Sequence, residues 1–296
     1  MTREKLKEYE NLNFSDRFMF GKVMEDKERC QRLLECLLNQ SIGELHEVTA
    51  EREMLQTKDG KMIRMDIFTK DDLSLFDMEM QNLSKKKSAD SLELPKRSRF
   101  YQSTIDVDFL HKGHHYKELP KNNVIFICTF DPFGRGKAVY EFENRSNETP
   151  PEPLNDGTAK YFFNCTYEGK DIPEALSNFY EFVRTGKAAD KLTEELKKTV
   201  EETRMNIIYR SEYLRQRELR EDAIEEGREE GREEGREEGR EEGRKEGREE
   251  GREEGRKEGR EEGRKEERMN TERERKRADE AEAEVKRLRK LLEQKG

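Results

Sequence analysis

No apolar run in this chain is long enough to cross a bilayer. No two cysteines stand at CxxC spacing, and no overall excess of basic residues advertises a grip on nucleic acid. The first absence removes membrane-spanning functions and any expectation of a membrane partner. The second removes the common zinc-ribbon and thioredoxin-like readings, because Cys30, Cys36, Cys128 and Cys165 have no metal-ligand spacing. Cys128 lies inside an apolar run and reads as a small core residue. The third means that any contact with nucleic acid must use a local basic patch. The opening MTREKLKEYE is charged throughout, unlike a secretory signal, so a reducing cytoplasm is the expected location.

What the chain does have is charge. Charged residues make up 44% of its 296 positions, with a formal net charge of -9 and a mean hydropathy of -1.24. Such values suggest disorder when spread evenly, but here they are local. Residues 221–296 hold 23 basic and 29 acidic residues, against 37 and 40 in residues 1–220. The body also keeps nearly all the aromatic residues, enough to bury a core.

Residues 12–40 are predicted to be helical, with Asn13 or Ser15 as cap and Phe18, Val23, Leu33, Leu34, Leu37 and Leu38 as the apolar stripe. Asp16 suits the first turn of that helix through the helix dipole, or could serve as an additional metal-site acid. A strand is expected within 42–56, a helix over 93–111 with Phe100, Val107 and Leu110 facing the core, and a buried strand at 124–130 ended by the turn Asp131–Gly134. His114 and His115 read as surface residues of a turn. Shorter strands follow near 139–143 and 160–167, then helices over 172–184 and 189–224. The sum is an α/β body, a mixed sheet flanked by helices.

Within it, residues 61–81, KMIRMDIFTKDDLSLFDMEMQ, read as a β-hairpin turning at Lys70, Asp71 and Asp72. Alternation puts Ile63, Met65 and Ile67 on one face of the first strand and Arg64 and Asp66 on the other. On the second strand it puts Phe76, Met78 and Met80 on one face and Asp77, Glu79 and Gln81 on the other. Asp66 and Glu79 can then share a cleft. Clustered carboxylates repel unless a cation or proton sits between them, and a hard divalent ion such as Mg2+ is the natural occupant. The same pattern also fits an ordinary hairpin with a solvated polar face. Lys85, Lys86 and Lys87, just beyond, are solvated surface unless the hairpin is a phosphate-cleaving site. Arg97 and Tyr101, four apart, share a helix face.

From Gly227 to Gly263 a glycine recurs at every fourth residue, as GREE or GRKE. The glycine row drifts by about 40° per repeat and there is no apolar seam. Helical glycines cost about 1 kcal/mol each, which predicts a frayed, partly helical segment. Ala278, Ala281, Val285, Leu288 and Leu292 then fall at alternating spacings of three and four, which fits a short self-association helix or an ordinary amphipathic end. The expected organisation is a folded domain over 1–188, a helical extension over 189–226, the repeat over 227–267 and a short, amphipathic or coiled-coil helix over 268–296.

The order SDRFMFGKVM, RMDI, DMEMQ, RSRFY, HKGHHY, FDPFGRG and LNDGTAKYFFN resembles the recombination-promoting nuclease / putative transposase family of the PD-(D/E)xK nuclease superfamily. The likeness covers roughly residues 12–185. It implies a restriction-endonuclease-like fold followed by a long charged tail, and a Mg2+-dependent endonuclease, with Mn2+ able to substitute, acting on DNA in recombination or transposition. Carried over, the motif's acids fall on Asp66 and Glu79, and Gln81 stands where the superfamily has lysine. Asp66 and Glu79, with the backbone carbonyl of Met80, would hold the ion, and Gln81 would orient water. Arg97 and Tyr101 would hold a flanking phosphate, and Lys85–Lys87 would steer the DNA backbone. Two other readings stand beside this one: an inactive nuclease fold serving as a DNA-binding or oligomeric scaffold, and a nuclease of defence.

Overall fold

The computed structural model describes residues 7–54, 63–82, 89–110, 113 and 115–293. Lys85, Lys86, Lys87 and His114, and the first two residues of the predicted hairpin, lie outside them. Contacts divide the chain into two units, Met1–Glu218 and Leu219–Gly296.

The first unit is built on a six-stranded mixed sheet with strands β1 (Glu47–Met54), β2 (Ile63–Lys70), β3 (Ser74–Gln81), β4 (Lys121–Cys128), β5 (Val139–Phe142) and β6 (Thr158–Asn164). Their spatial order is β1-β2-β3-β4-β6-β5. β1, β2 and β3 run antiparallel, β3, β4 and β6 parallel, and β5 returns antiparallel at the edge. The β2–β3 turn closes through Asp71, whose Oδ1 accepts from the backbone N–H groups of Leu73 (2.8 Å) and Ser74 (2.7 Å). β4 is buried along nearly its whole length, as a central strand covered on both faces must be.

Helices α1 (Arg17–Met24), α2 (Lys27–Leu38), α4 (Glu174–Thr185) and α5 (Lys191–Met205) belong to one side. Their apolar residues, among them Phe20, Leu34, Phe179 and Leu196, join Ile67, Phe76, Met78, Met80, Ile125 and Phe163 of the sheet in one core. On the other side α3 (Ala89–Phe109) packs Leu94, Tyr101 and Ile105 against Leu75, Val124, Phe126 and Phe162.

Three expectations about helices need correction. The predicted helix over 12–40 is two helices, because Asp26 stops the first and caps the second, accepting from Arg29 N at 2.9 Å. The predicted helix over 189–224 breaks at Asn206, which closes α5 and whose Oδ1 accepts from Ile208 N and Tyr209 N at the start of α6 (Ile207–Glu293). On α3, Phe100 and Val107 are 42% and 61% exposed rather than core residues. The buried row runs through Leu94, Ser98, Tyr101, Gln102 and Ile105 instead.

α6 runs without a break through the repeat, 227–263. No atom stands within 4 Å of where a Cβ would lie on any of the ten repeat glycines. The cost of glycine there is one of backbone entropy, with no steric component.

Candidate active site

The β2–β3 ladder pairs Lys70 with Leu75 through to Ile67 with Met78, and stops there. On the other side of β2, Ala50 pairs with Ile67 and Arg52 with Met65, while Glu51 between them takes a φ of 51°. That left-handed residue kinks the sheet beside Asp66. The kink breaks the predicted alternation of β2. Ile67 packs into the core under α1 and α2, whereas Met65 and Ile63 join the core under α3.

Where the ladder ends, two carboxylates take over its hydrogen bonds. Glu79 Oε1 accepts from the backbone N–H of Asp66 at 2.9 Å. Asp66 Oδ2 accepts from the backbone N–H of Met80 at 3.0 Å. These reciprocal bonds hold the two acids at one spot between the parted strands. Both are buried, 2% exposed for Asp66 and fully covered for Glu79.

Each acid is met by an arginine from a different layer. Arg17, the first residue of α1, places its Nε against Asp66 Oδ1, and its Nη2 donates to the carbonyl of Arg64 at 2.6 Å. The Nε–Oδ1 contact is an ion pair, and neither atom has a further partner among the described residues. Arg97 of α3 donates from Nη2 to Glu79 Oε2 at 2.5 Å, from Nη1 to Gln81 Oε1 at 2.9 Å and from Nε to Tyr101 Oη at 3.0 Å. Its guanidinium lies 5.1 Å from the Tyr101 ring centre and 5.5 Å from that of Phe126, which are cation–π distances. Gln81 Nε2 completes the group, donating to Glu79 Oε2 at 3.4 Å.

Asp77, two residues before Glu79 on the same side of β3, is fully buried, and neither of its carboxylate oxygens has a hydrogen-bond partner. Burial, then the charges of Glu79 and Asp66, holds its carboxyl well above the usual range. Glu79 is pushed up to about 8 by burial and by the Asp66 charge, with Arg97 and Arg17 pulling the other way. Burial raises Asp66 too, against the opposing pull of Arg17. Tyr101 is pushed up to about 12 by burial and by the Glu79 charge.

The structure thus brings together Asp66, Glu79, Gln81, Arg97 and Tyr101. Met80 contributes its N–H to Asp66. Asp16 stands apart from the group, with its Oδ2 bonded to Asn13 N at 2.7 Å and to Lys7 Nζ at 2.8 Å. Arg17 and the burial of Asp77 are the additions. Arg17 is 49 positions from Asp66 and no local periodicity links them, whereas Asp77 stood on the acidic face of β3 in plain view.

Among the described residues no group of three or more His, Cys, Asp or Glu side chains gathers as a ready metal cage. The donors on offer are two buried carboxylates, with Asp66 Oδ1 held by the Arg17 ion pair alone among the described contacts. Hard oxygen donors of this kind fit a divalent ion such as Mg2+ or Mn2+. Among the described residues no helix is long and apolar enough to cross a membrane.

Residues 11–228 match the family model described as PD-(D/E)XK nuclease family transposase. No curated protein and no solved structure matches the chain.

Proposed function

The chain belongs to the PD-(D/E)XK nuclease family transposases, and from that premise we propose that it is a magnesium-dependent DNA endonuclease acting in recombination or transposition. The mixed sheet with flanking helices is consistent with the restriction-endonuclease-like fold of that family. The observation that carries the activity is the Asp66–Glu79 pair, locked together by reciprocal bonds where the β2–β3 ladder ends.

In this reading the two carboxylates, with the Met80 backbone carbonyl, would hold the ion. A bound Mg2+, or Mn2+ in its place, lowers the pKa of its water and polarises the scissile phosphate. Gln81 is neutral, so it orients water or a phosphate oxygen and supplies no charge. Arg97, stacked on Tyr101 and already turned toward Glu79, supplies positive charge for a flanking phosphate. Lys85, Lys86 and Lys87 steer the DNA backbone toward the site.

A second reading has one observation in its favour. Both acids are already paired with arginines, as they would be in a nuclease fold that has given up catalysis and serves as a DNA-binding scaffold. Plasmid nicking separates the two. The expected result is nicking that requires Mg2+, stops with a chelator and is abolished by Asp66→Ala in a protein that still melts cooperatively. Cleavage retained by Asp66→Ala overturns the site assignment, and no cleavage by the native chain in Mg2+ or Mn2+ favours the scaffold.

A further inference from the structure

Arg17 lies within SDRFMFGKVM, yet no motif gives it a role in the site, and it forms an ion pair with Asp66. Its side chain is 40% exposed while that of Asp66 is 2% exposed. The guanidinium therefore covers the carboxylate from the solvent side. Arg97 does the same for Glu79, with side-chain exposures of 34% and 0%. The two covers differ in quality. Arg97 makes three directed hydrogen bonds, to Glu79, Gln81 and Tyr101. Arg17 pairs with Asp66 through Nε and donates from Nη2 to the backbone carbonyl of Arg64, with no bond to Gln81 or Tyr101 among those described.

Charge then dictates an order of events. When both acids are ionised, each is paired to one arginine and the four side chains balance. A divalent cation that takes both carboxylates leaves two guanidinium charges without counter-ions. A phosphodiester backbone supplies such counter-ions at regular spacing, and a guanidinium binds phosphate oxygens bidentately. Resting on the nuclease reading above, we infer that Arg17 is a phosphate-binding residue of the site, held on Asp66 until a divalent cation displaces it. It supplies the cationic charge that Gln81, standing in the lysine position, does not. Cation and DNA then bind with positive coupling, since each favours the arrangement that the other needs.

The test uses the full chain, Mn2+ titrated by calorimetry, and a fluorescein-labelled duplex with phosphorothioate linkages followed by anisotropy with and without Mn2+. In Arg17→Gln, Mn2+ binds at least as tightly as in the native chain, because its competitor is gone. The gain in DNA affinity that Mn2+ confers falls by about fivefold or more. Arg17→Lys keeps the charge without the bidentate geometry and restores part of that gain. An undiminished gain in Arg17→Gln, or loss of its Mn2+ binding, overturns the inference and leaves Arg17 as a structural prop. A native chain that binds no Mn2+ overturns the nuclease reading with it. Native Mn2+ binding alongside an unchanged DNA gain in Arg17→Gln overturns the inference alone. Should Arg17→Gln not fold, Arg17→Lys carries the test through tighter Mn2+ binding and a smaller DNA gain, and native values for both overturn it.

Discussion

Asp77, on the same side of β3 as Glu79, is fully buried with no donor for either oxygen, and the upward shift of its carboxyl has a thermodynamic consequence. A carboxyl whose folded pKa is raised binds more protons in the native state than in the unfolded chain. Its contribution is therefore fully present below the unfolded value and is lost as pH rises through the folded one. For Glu79 that window runs from 4.5 to about 8, and Asp77 shifts in the same direction from 3.8. In the absence of divalent ions the protein should lose stability as pH rises across this range. Asp77→Asn keeps the shape and removes the ionisable group. It should be more stable than the native chain at pH 8, on the order of 1 kcal/mol, with a smaller difference at pH 5. Thermal melts in a chelator at the two pH values check this, and equal differences at both would contradict it. At this scale β3 was readable in advance: Asp77, Glu79 and Gln81 do share one side. The kink at Glu51 was not, because a left-handed glutamate carries no sequence signal, and so the faces of Ile63 and Met65 were misassigned.

The helices show where periodicity alone runs short. α3 has apolar or aromatic side chains on more than one side, and the sequence does not say which side the sheet will take. The side taken places Tyr101 and Ile105 inward and positions Arg97 over Glu79. Ile105→Ala should cost about 2–5 kcal/mol through the cavity it leaves. Val107→Ala should stay within about 0.5 kcal/mol, because Val107 is mostly solvated. Denaturant unfolding of both variants measures the contrast, and equal losses would contradict the packing described. The breaks at Asp26 and Asn206 are of another kind. Each rests on a side chain capping the helix that follows, and residues of those types before a helix are recognisable as caps. They were hidden because the apolar stripe runs on across both breaks.

Across the whole chain, most acidic excess lies in the tail, and ten glycines sit in α6 with no neighbour that requires them. Backbone entropy of about 10 kcal/mol weighs against that helix. Ion pairs such as Glu241–Lys245, at 2.9 Å, return only about 0.2–0.5 kcal/mol each. Far-UV circular dichroism on warming should therefore lose helical signal gradually before the body unfolds cooperatively, and one sharp transition would contradict this. The unusual composition of the repeat made it legible at once, and the sheet was legible through its buried runs. Arg17 on Asp66 was legible in neither, since only the tertiary fold brings α1 beside β2. The claim on which the function rests is that Asp66 and Glu79 together capture a hard divalent ion. Anomalous diffraction from a crystal of the protein soaked in Mn2+ tests it most directly. The predicted result is a single strong peak shared by the Asp66 and Glu79 carboxylates, with Arg17 moved off Asp66. A map with no peak there, and both arginines still seated on their acids, would contradict it.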